Sequence, residues 1–339
     1  MQNLYVIEPG SYLRKEGETL VICRGKQRLE TIPATGLKQL ALAGRASISG
    51  AVLDFLISHG IDTIFMTMDG RFRARLLLDD STHTALRQQQ YVRLHDPAYK
   101  QQLAAVIVRE KLANQSRLLL RRASQYDEPM LRTVGAQIRA LCHKSTGAAD
   151  LDTLRGLEGY GSRLYFSVFG RLVRNDAFSF NGRNRRPPRD PVNALLSFVY
   201  TLFTNEVLNA IKSAGLDPYC GALHEIAAGR PSLACDLVEE WRPFAERLIL
   251  ALVNRRVIRP EDFVLRSEKE QTDELLPVSM KPDAARALIT AYHRQLEEQL
   301  LYPPTGQKTT VRWIIHSQCR RFADSLKDGE MYVPFTIPR

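Results

Sequence analysis

Cysteine chemistry has little to work with in this chain. Its five cysteines, Cys23, Cys142, Cys220, Cys235 and Cys319, are odd in number and widely spread, and no C-x-x-C pair occurs. Neither a zinc knuckle nor a dithiol redox centre is built from that spacing, so they read as reduced thiols in a cytoplasm. Export and membrane signals are missing too. The opening "MQNLYVIEPG" has no basic region followed by an apolar core, and no stretch approaches the ~18 apolar residues that a span needs. A cytoplasmic protein with no membrane partner is expected. Internal repeats and low-complexity segments are also lacking, which excludes solenoids and disordered tails.

What is present suits two folded domains: 339 residues, 44% hydrophobic and 25% charged. The 47 basic residues outnumber 37 acidic ones, a net charge of +10 that favours polyanionic partners, nucleic acid above all.

Residues 1–82 carry short β-like runs, "LYVI", "TLVICR", "RLETIP", "TIFMTM" and "RARLLL", separated by turns containing glycine. One amphipathic helix, "SGAVLDFLISHG", interrupts them and ends at Gly60. The texture then turns helical, with a linker at 83–90, a helical domain over 91–325 and a tail at 326–339. The expected fold is α+β: a small, mostly antiparallel N-terminal β domain followed by a larger all-helical C-terminal domain.

Three stretches of the helical part carry chemistry. In "LDTLRGLEGYGSRLYFSVFGRLV", positions 151, 154, 158, 161, 165, 168 and 172 follow one helix face, which puts Glu158 in the seam facing the core. An unpaired carboxylate there is costly, so it needs a partner: a buried Arg or Lys, or a cation. Gly156, Gly159 and Gly161 surround it, each costing ~1 kcal/mol relative to Ala inside a helix, so a close approach at this turn is expected. Tyr165, one step along the same face, can pack or stack a base.

The second stretch, "RDPVNALLSFVYTLFTNEVLNAIKSAG", has Asp190 as N-cap, Pro191 at the first helical position and a stop at Gly215. It reads as a central apolar helix. Before it, "NGRNRRPPRD" crowds Arg183, Arg185, Arg186 and Arg189 into an extended loop, either a solvated connector or a phosphate clamp.

The third, "GALHEIAAGRPSLACDLVEEWRP", holds His224 after a turn and a helix from about Pro231 that places Asp236 and Glu239 on one face. Pro243 stands four residues beyond Glu239 and removes a backbone hydrogen bond, so a kink or restart is expected there. A neutral imidazole with carboxylates from separate segments makes a mixed nitrogen and oxygen site suited to Mg²⁺ or Mn²⁺.

On "LRGLEGYGSRLYF", "FNGRNRRPPRDPVNALLSFVYTLF", "GLDPYCGALHEIAAGRPSLACDLVEEWRP", "VREKLANQ" and "YVPF", the chain resembles the CRISPR-associated integrase family (Cas-one), the catalytic subunit of the spacer-acquisition complex. The resemblance spans essentially the whole chain. It implies an N-terminal β domain used for dimerisation and partner docking, a homodimer, and a small Cas-two partner subunit. It maps the metal ligands to Glu158, His224 and Glu239, with Asp236 as a further acid beside the metal. Glu239 is one methylene longer than the aspartate of some members.

The chemistry implied is transesterification, in which a spacer DNA 3′-hydroxyl attacks a phosphodiester of the CRISPR repeat at a divalent cation. No protein nucleophile is required, and with water as attacker the same site cuts DNA. Arg163, Arg183, Arg185, Arg186, Arg189, Arg230 and Arg242 are the candidates for holding DNA backbones, against a plainer role in solubility or ion pairing. Cys220 and Cys235 read as small core residues, and His59, His83, His95, His143, His293 and His316 take no role. The competing functions are a metal-dependent nuclease for branched DNA in repair and a non-catalytic nucleic-acid scaffold.

Overall fold

The computed structural model describes residues 2–68, 72–76, 83–184, 187–267 and 276–337. The strand-rich region comprises β1 (Gln2–Val6), β2 (Ser11–Glu16), β3 (Thr19–Arg24), β4 (Gln27–Pro33), β5 (Leu37–Ala43), β6 (Ser47–Ile48), α1 (Gly50–Ser58), β7 (Asp62–Met66) and β8 (Phe72–Leu76). Its strands form two four-stranded sheets, ordered β1-β5-β7-β8 and β4-β3-β2-β6. The pairing departs from the mostly antiparallel expectation. β1–β5, β5–β7 and β2–β6 run parallel, while β2–β3, β3–β4 and β7–β8 run antiparallel. The physical reason lies in the connections: α1 between β6 and β7 is a crossover of the kind that parallel neighbours require.

α1 is capped as its sequence indicates, with the Ser49 side chain accepting from Val52 N, and Gly60 adopts φ +60°. Strand β5 explains how the region is held to the rest. Leu40 and Leu42 enter a small core with Leu13, Leu20, Val52 and Leu56, while the alternate Ala41 and Ala43 join the large core of the helical region. A period of two buries both faces of one strand.

The helical region comprises α2 (Thr84–His95), α3 (Pro97–Tyr126), α4 (Pro129–Ser145), α5 (Leu151–Phe169), α6 (Pro191–Ser213), α7 (Ser232–Leu237), α8 (Arg242–Asn254), β9 (Phe263–Leu265), β10 (Val278–Met280), α9 (Pro282–Leu296), β11 (Gln299–Tyr302), β12 (Gln307–Thr310) and α10 (Val311–Asp328). Three expectations change here. The linker at 83–90 lies almost wholly within α2. The domain is not all-helical, since β9–β10 and β11–β12 form two small antiparallel ladders. The tail at 326–339 begins inside α10, and Tyr332 and Phe335 beyond that helix are buried.

α6, although interrupted by polar residues, is long and apolar enough to cross a membrane by length and composition. Within the fold most of it is buried, including Leu195, Val199, Phe203 and Val207, so it is the central core helix. Asp190 caps it by accepting from Asn193 N, Pro191 opens it, and Gly215 follows it at φ +81°.

Candidate metal and nucleic-acid site

The seam read from α5 is real. Leu154, Gly161, Tyr165 and Val168 are buried, and the Glu158 side chain, 27% exposed, looks out from the same face. Of the three surrounding glycines only one is a close approach. A Cβ at Gly161 would collide with Leu112 Cδ2 of α3, whereas one at Gly156 or Gly159 meets nothing within 4 Å. Gly161 therefore lets α3 and α5 touch, which brings Lys111 to Glu158.

Glu239 arrives from a different segment. α7 stops at Leu237, a 3-10 turn covers Val238–Trp241, and α8 restarts at Arg242. Pro243 accounts for the restart, because it offers no N–H to the Glu239 carbonyl. The tightened turn directs neighbouring acids to different places. Glu239 faces Lys111 and Arg242, while Glu240 accepts from Tyr332 Oη at 2.9 Å and from Phe335 N at 2.6 Å. The Trp241 and Phe335 rings stack at 5.1 Å between centroids. The C-terminal segment thus holds one side of the turn that presents Glu239 on the other.

Lys111 Nζ is the hub. It bonds Glu158 Oε1 and lies 2.6 Å from Glu239 Oε2, in a position 5% exposed. Arg242 Nε also donates to Glu239 Oε2, at 2.7 Å, and Ser162 Oγ donates to Glu158 Oε1 at 3.0 Å. Burial alone would raise the Glu239 carboxyl, but the Arg242 guanidinium and then the Lys111 ammonium outweigh it and hold it at about 2. Glu158 is lowered by Lys111 against the same burial. Lys111 in turn is raised, since the two carboxylates outweigh the burial that disfavours its charge. Both acids are therefore anions at neutral pH.

His224 lies in the loop after α6, and Asp236 sets its orientation. Fully buried, Asp236 accepts at Oδ2 from Ala222 N (2.5 Å) and Leu223 N (3.1 Å), and at Oδ1 from His224 N (2.9 Å). His224 Nδ1 is 2.7 Å from Oδ1 and must be the donor, which in the neutral ring leaves the Nε2 lone pair to bind elsewhere. Gly221 permits this approach, because a Cβ there would lie 2.7 Å from Asp236 Oδ2.

The expected four-residue site is therefore reorganised. Asp236 is a positioning residue whose two oxygens are both engaged by the His224 loop. Glu158 and Glu239 do meet, but across Lys111, and the described residues contain no ready-made group of three His, Cys, Asp or Glu donors. Lys111 was missed as a site residue. Its signal was a charge in the stripe of Ile107, Lys111 and Gln115, where α3 is otherwise buried. The donor chemistry fits a hard divalent cation. Two anionic carboxylates already share one cation, and the oriented His224 imidazole is close enough to Glu239 to help lower its carboxyl.

The family profile described as "CRISPR associated protein Cas1" matches residues 4–294. The chain is 37% identical over 346 residues to a CRISPR-associated endonuclease Cas1 from Chlorobaculum tepidum, covering 99% of this chain and 98% of that one. The chain belongs to the Cas1 family. A Cas1 relative from Moorella thermoacetica is 34% identical, with 99% and 98% covered. A solved Cas1 from Thermotoga maritima superposes with a TM-score of 0.82 at 24% identity over 100% of both chains, and a casposase bound to integration product with 0.84 at 22% identity over 99% and 92%. These two share the Cas1 fold, strand-rich then helical.

In this Cas1 fold the seven arginines expected at DNA divide. Arg163 and Arg189 are exposed, Arg163 lying over the Tyr160 ring at 5.8 Å. Arg185 and Arg186 lie outside the described residues. Arg183 turns inward and donates to Asn193 Oδ1 at 2.7 Å and Ser197 Oγ at 3.2 Å. Arg230 bonds the Glu225 carbonyl of its own loop. Arg242 is engaged by Glu239 and sits 4.6 Å over the Tyr200 ring. Arg242 is thus ion-paired, Arg183 is hydrogen-bonded to α6 and Arg230 is hydrogen-bonded within its own loop. The long Arg stem and planar fork suit such inward hydrogen bonding as well as they suit phosphate.

Tyr165 is fully buried and donates to Glu246 Oε2 at 2.6 Å, so it packs rather than stacks a base. Glu246 also accepts from Tyr200 Oη, and burial raises its carboxyl. Cys235 is likewise pushed up by burial, to about 11, which leaves it a thiol and no nucleophile.

Proposed function

We propose that this Cas1-family chain is a metal-dependent DNA integrase and endonuclease that joins spacer DNA 3′-OH ends to CRISPR repeat phosphodiesters. The observation that carries the reading is the pair of carboxylates from α5 and from the turn before α8 sharing one cation, with the Asp236-oriented His224 near enough to Glu239 to help lower its carboxyl. Relatives named CRISPR-associated endonuclease, and a fold shared with a casposase bound to integration product, agree with it.

Glu158, Glu239 and His224 Nε2 would hold Mg²⁺ or Mn²⁺. When bound, that cation would supply Lewis-acid stabilisation of charge on the phosphate and activation of the attacking or leaving oxygen. The chain's own residues do the positioning. Asp236 fixes the imidazole tautomer, Ser162 braces Glu158, Arg242 braces Glu239, and Arg163 and Arg189 offer exposed cations to DNA backbones. No Ser or Cys nucleophile is needed, because the DNA hydroxyl attacks directly. The strand-rich region would serve dimerisation and docking on a Cas2 subunit. A shared fold with a "Cas6-RT-Cas1–Cas2 complex" chain, at TM-score 0.86 and 20% identity over 100% of this chain and 36% of that one, agrees with such an assembly.

The test is strand transfer of a labelled 3′-OH oligonucleotide into a repeat-containing plasmid. Glu158→Ala and His224→Ala should each abolish joined product while DNA affinity stays mostly intact. Retained joining in either variant overturns the site. Shortened fragments without joined product would favour the branched-DNA nuclease instead.

A further inference from the structure

The pair of carboxylates proposed to hold a divalent cation already has cations of its own. Lys111 bonds both, at Glu158 Oε1 and Glu239 Oε2, and Arg242 bonds Glu239 Oε2 as well. Two negative and two positive side chains therefore make a neutral cluster within a site where Lys111 and Glu239 are almost wholly excluded from water. We propose that Lys111 is an internal counter-cation, holding Glu158 and Glu239 together before metal arrives and competing with the divalent cation for the same carboxylates. This rests on the metal-site reading above and adds a regulation to it.

The physical argument is one of opposed effects. Without Lys111 the two carboxylates would face each other across a poorly screened gap, with only Arg242 left to offset them, so Lys111 favours the metal-free fold. A dication entering beside a buried ammonium meets unscreened repulsion and a cluster already neutral. The metal-free fold is thus favoured at the expense of metal affinity. A divalent cation added to the neutral cluster leaves two surplus positive charges, and the backbone phosphates of DNA are the groups suited to balance them. Metal and DNA are therefore expected to bind with positive coupling.

The experiment is a titration of the purified full chain with Mn²⁺, following free Mn²⁺ by electron paramagnetic resonance, with thermal melting in parallel. Lys111→Met keeps most of the side-chain volume and removes the charge, and Lys111→Gln is the second neutral variant should the first fail to fold. In the absence of DNA, the neutral variant should bind Mn²⁺ about tenfold or more tightly than the unaltered chain. It should melt lower without Mn²⁺ and be stabilised more by it. Duplex DNA should tighten Mn²⁺ binding in the unaltered chain more than in the variant.

Equal or weaker Mn²⁺ binding in both neutral variants overturns the proposal and would make Lys111 a support for the metal. Glu158→Gln separates the two levels: if it binds Mn²⁺ as tightly as the unaltered chain, the metal-site reading itself fails.

Discussion

Asp236→Asn changes one oxygen to an NH₂ group and is nearly isosteric, so its cost can be worked from four hydrogen bonds. Oδ2 accepts from Ala222 N and Leu223 N, and Oδ1 from His224 N and Nδ1. An amide has one acceptor oxygen, so in either orientation its NH₂ faces two N–H donors. If the NH₂ replaces Oδ2, two buried backbone donors go without a partner. Each costs about 1–3 kcal/mol. If it replaces Oδ1, one backbone donor goes unpaired and His224 must present the other tautomer, turning the Nε2 lone pair into a donor. Allowing for partial relaxation, a destabilisation of about 2–4 kcal/mol is expected. For a chain of this size an unfolding entropy of roughly 2 cal/mol/K per residue converts this to a fall in Tm of about 3–6 °C.

Activity of the folded variant should fall as well, by about 10–100-fold, as for other residues that orient a ligand. Differential scanning calorimetry and the strand-transfer assay at about 20 °C, where the variant remains folded, separate the two effects. Asp236→Asn with unchanged Tm and unchanged joining would refute the claim that this carboxylate builds the His224 loop.

Further outcomes follow from the same geometry. Gly161→Ala should destabilise by about 1–3 kcal/mol because its Cβ collides with Leu112, whereas Gly156→Ala and Gly159→Ala, with open space around them, should stabilise by up to about 1 kcal/mol; urea unfolding ranks the three. Burial pushes the Glu240 carboxyl up to about 8, against the hydrogen bonds from Phe335 N and Tyr332. A carboxyl raised in the folded state gives stability that is full below its ordinary range near 4.5 and lost as pH rises through about 8. Glu240→Gln should flatten the decline in melting temperature between those values, and an unchanged slope would remove Glu240 as its cause. Arg189→Ala should weaken DNA binding and lower the salt slope, by about 0.9 for each phosphate it no longer neutralises. Arg183→Ala should chiefly lower stability, since its guanidinium is spent on α6. Salt-dependent binding isotherms and melting curves distinguish them.

Much of this was legible in the sequence because it depends on neighbours along the chain. The 3.6-residue period placed Glu158 on the core face of α5, Asp190, Pro191 and Gly215 marked the ends of α6, and Pro243 marked the break that turns Glu239 and Glu240 apart. These are consequences of local sterics and backbone hydrogen bonding, which a linear pattern encodes. The same logic could have drawn attention to Lys111, a charge on the buried face of α3, but its partners could not be named. Glu158 lies 47 residues away from it, on another helix.

By itself, then, the sequence determined the ends of α1 and α6, the buried face of α5, the break before α8, the excess of positive charge and the family. Tertiary structure alone decided three things. It set strands parallel or antiparallel, because pairing depends on how crossovers pack. It turned Arg183 and Arg242 inward while leaving Arg163 and Arg189 outside. And it placed the Lys111 ammonium between two carboxylates, because an ion pair exists only where distant segments are packed close enough to exclude water.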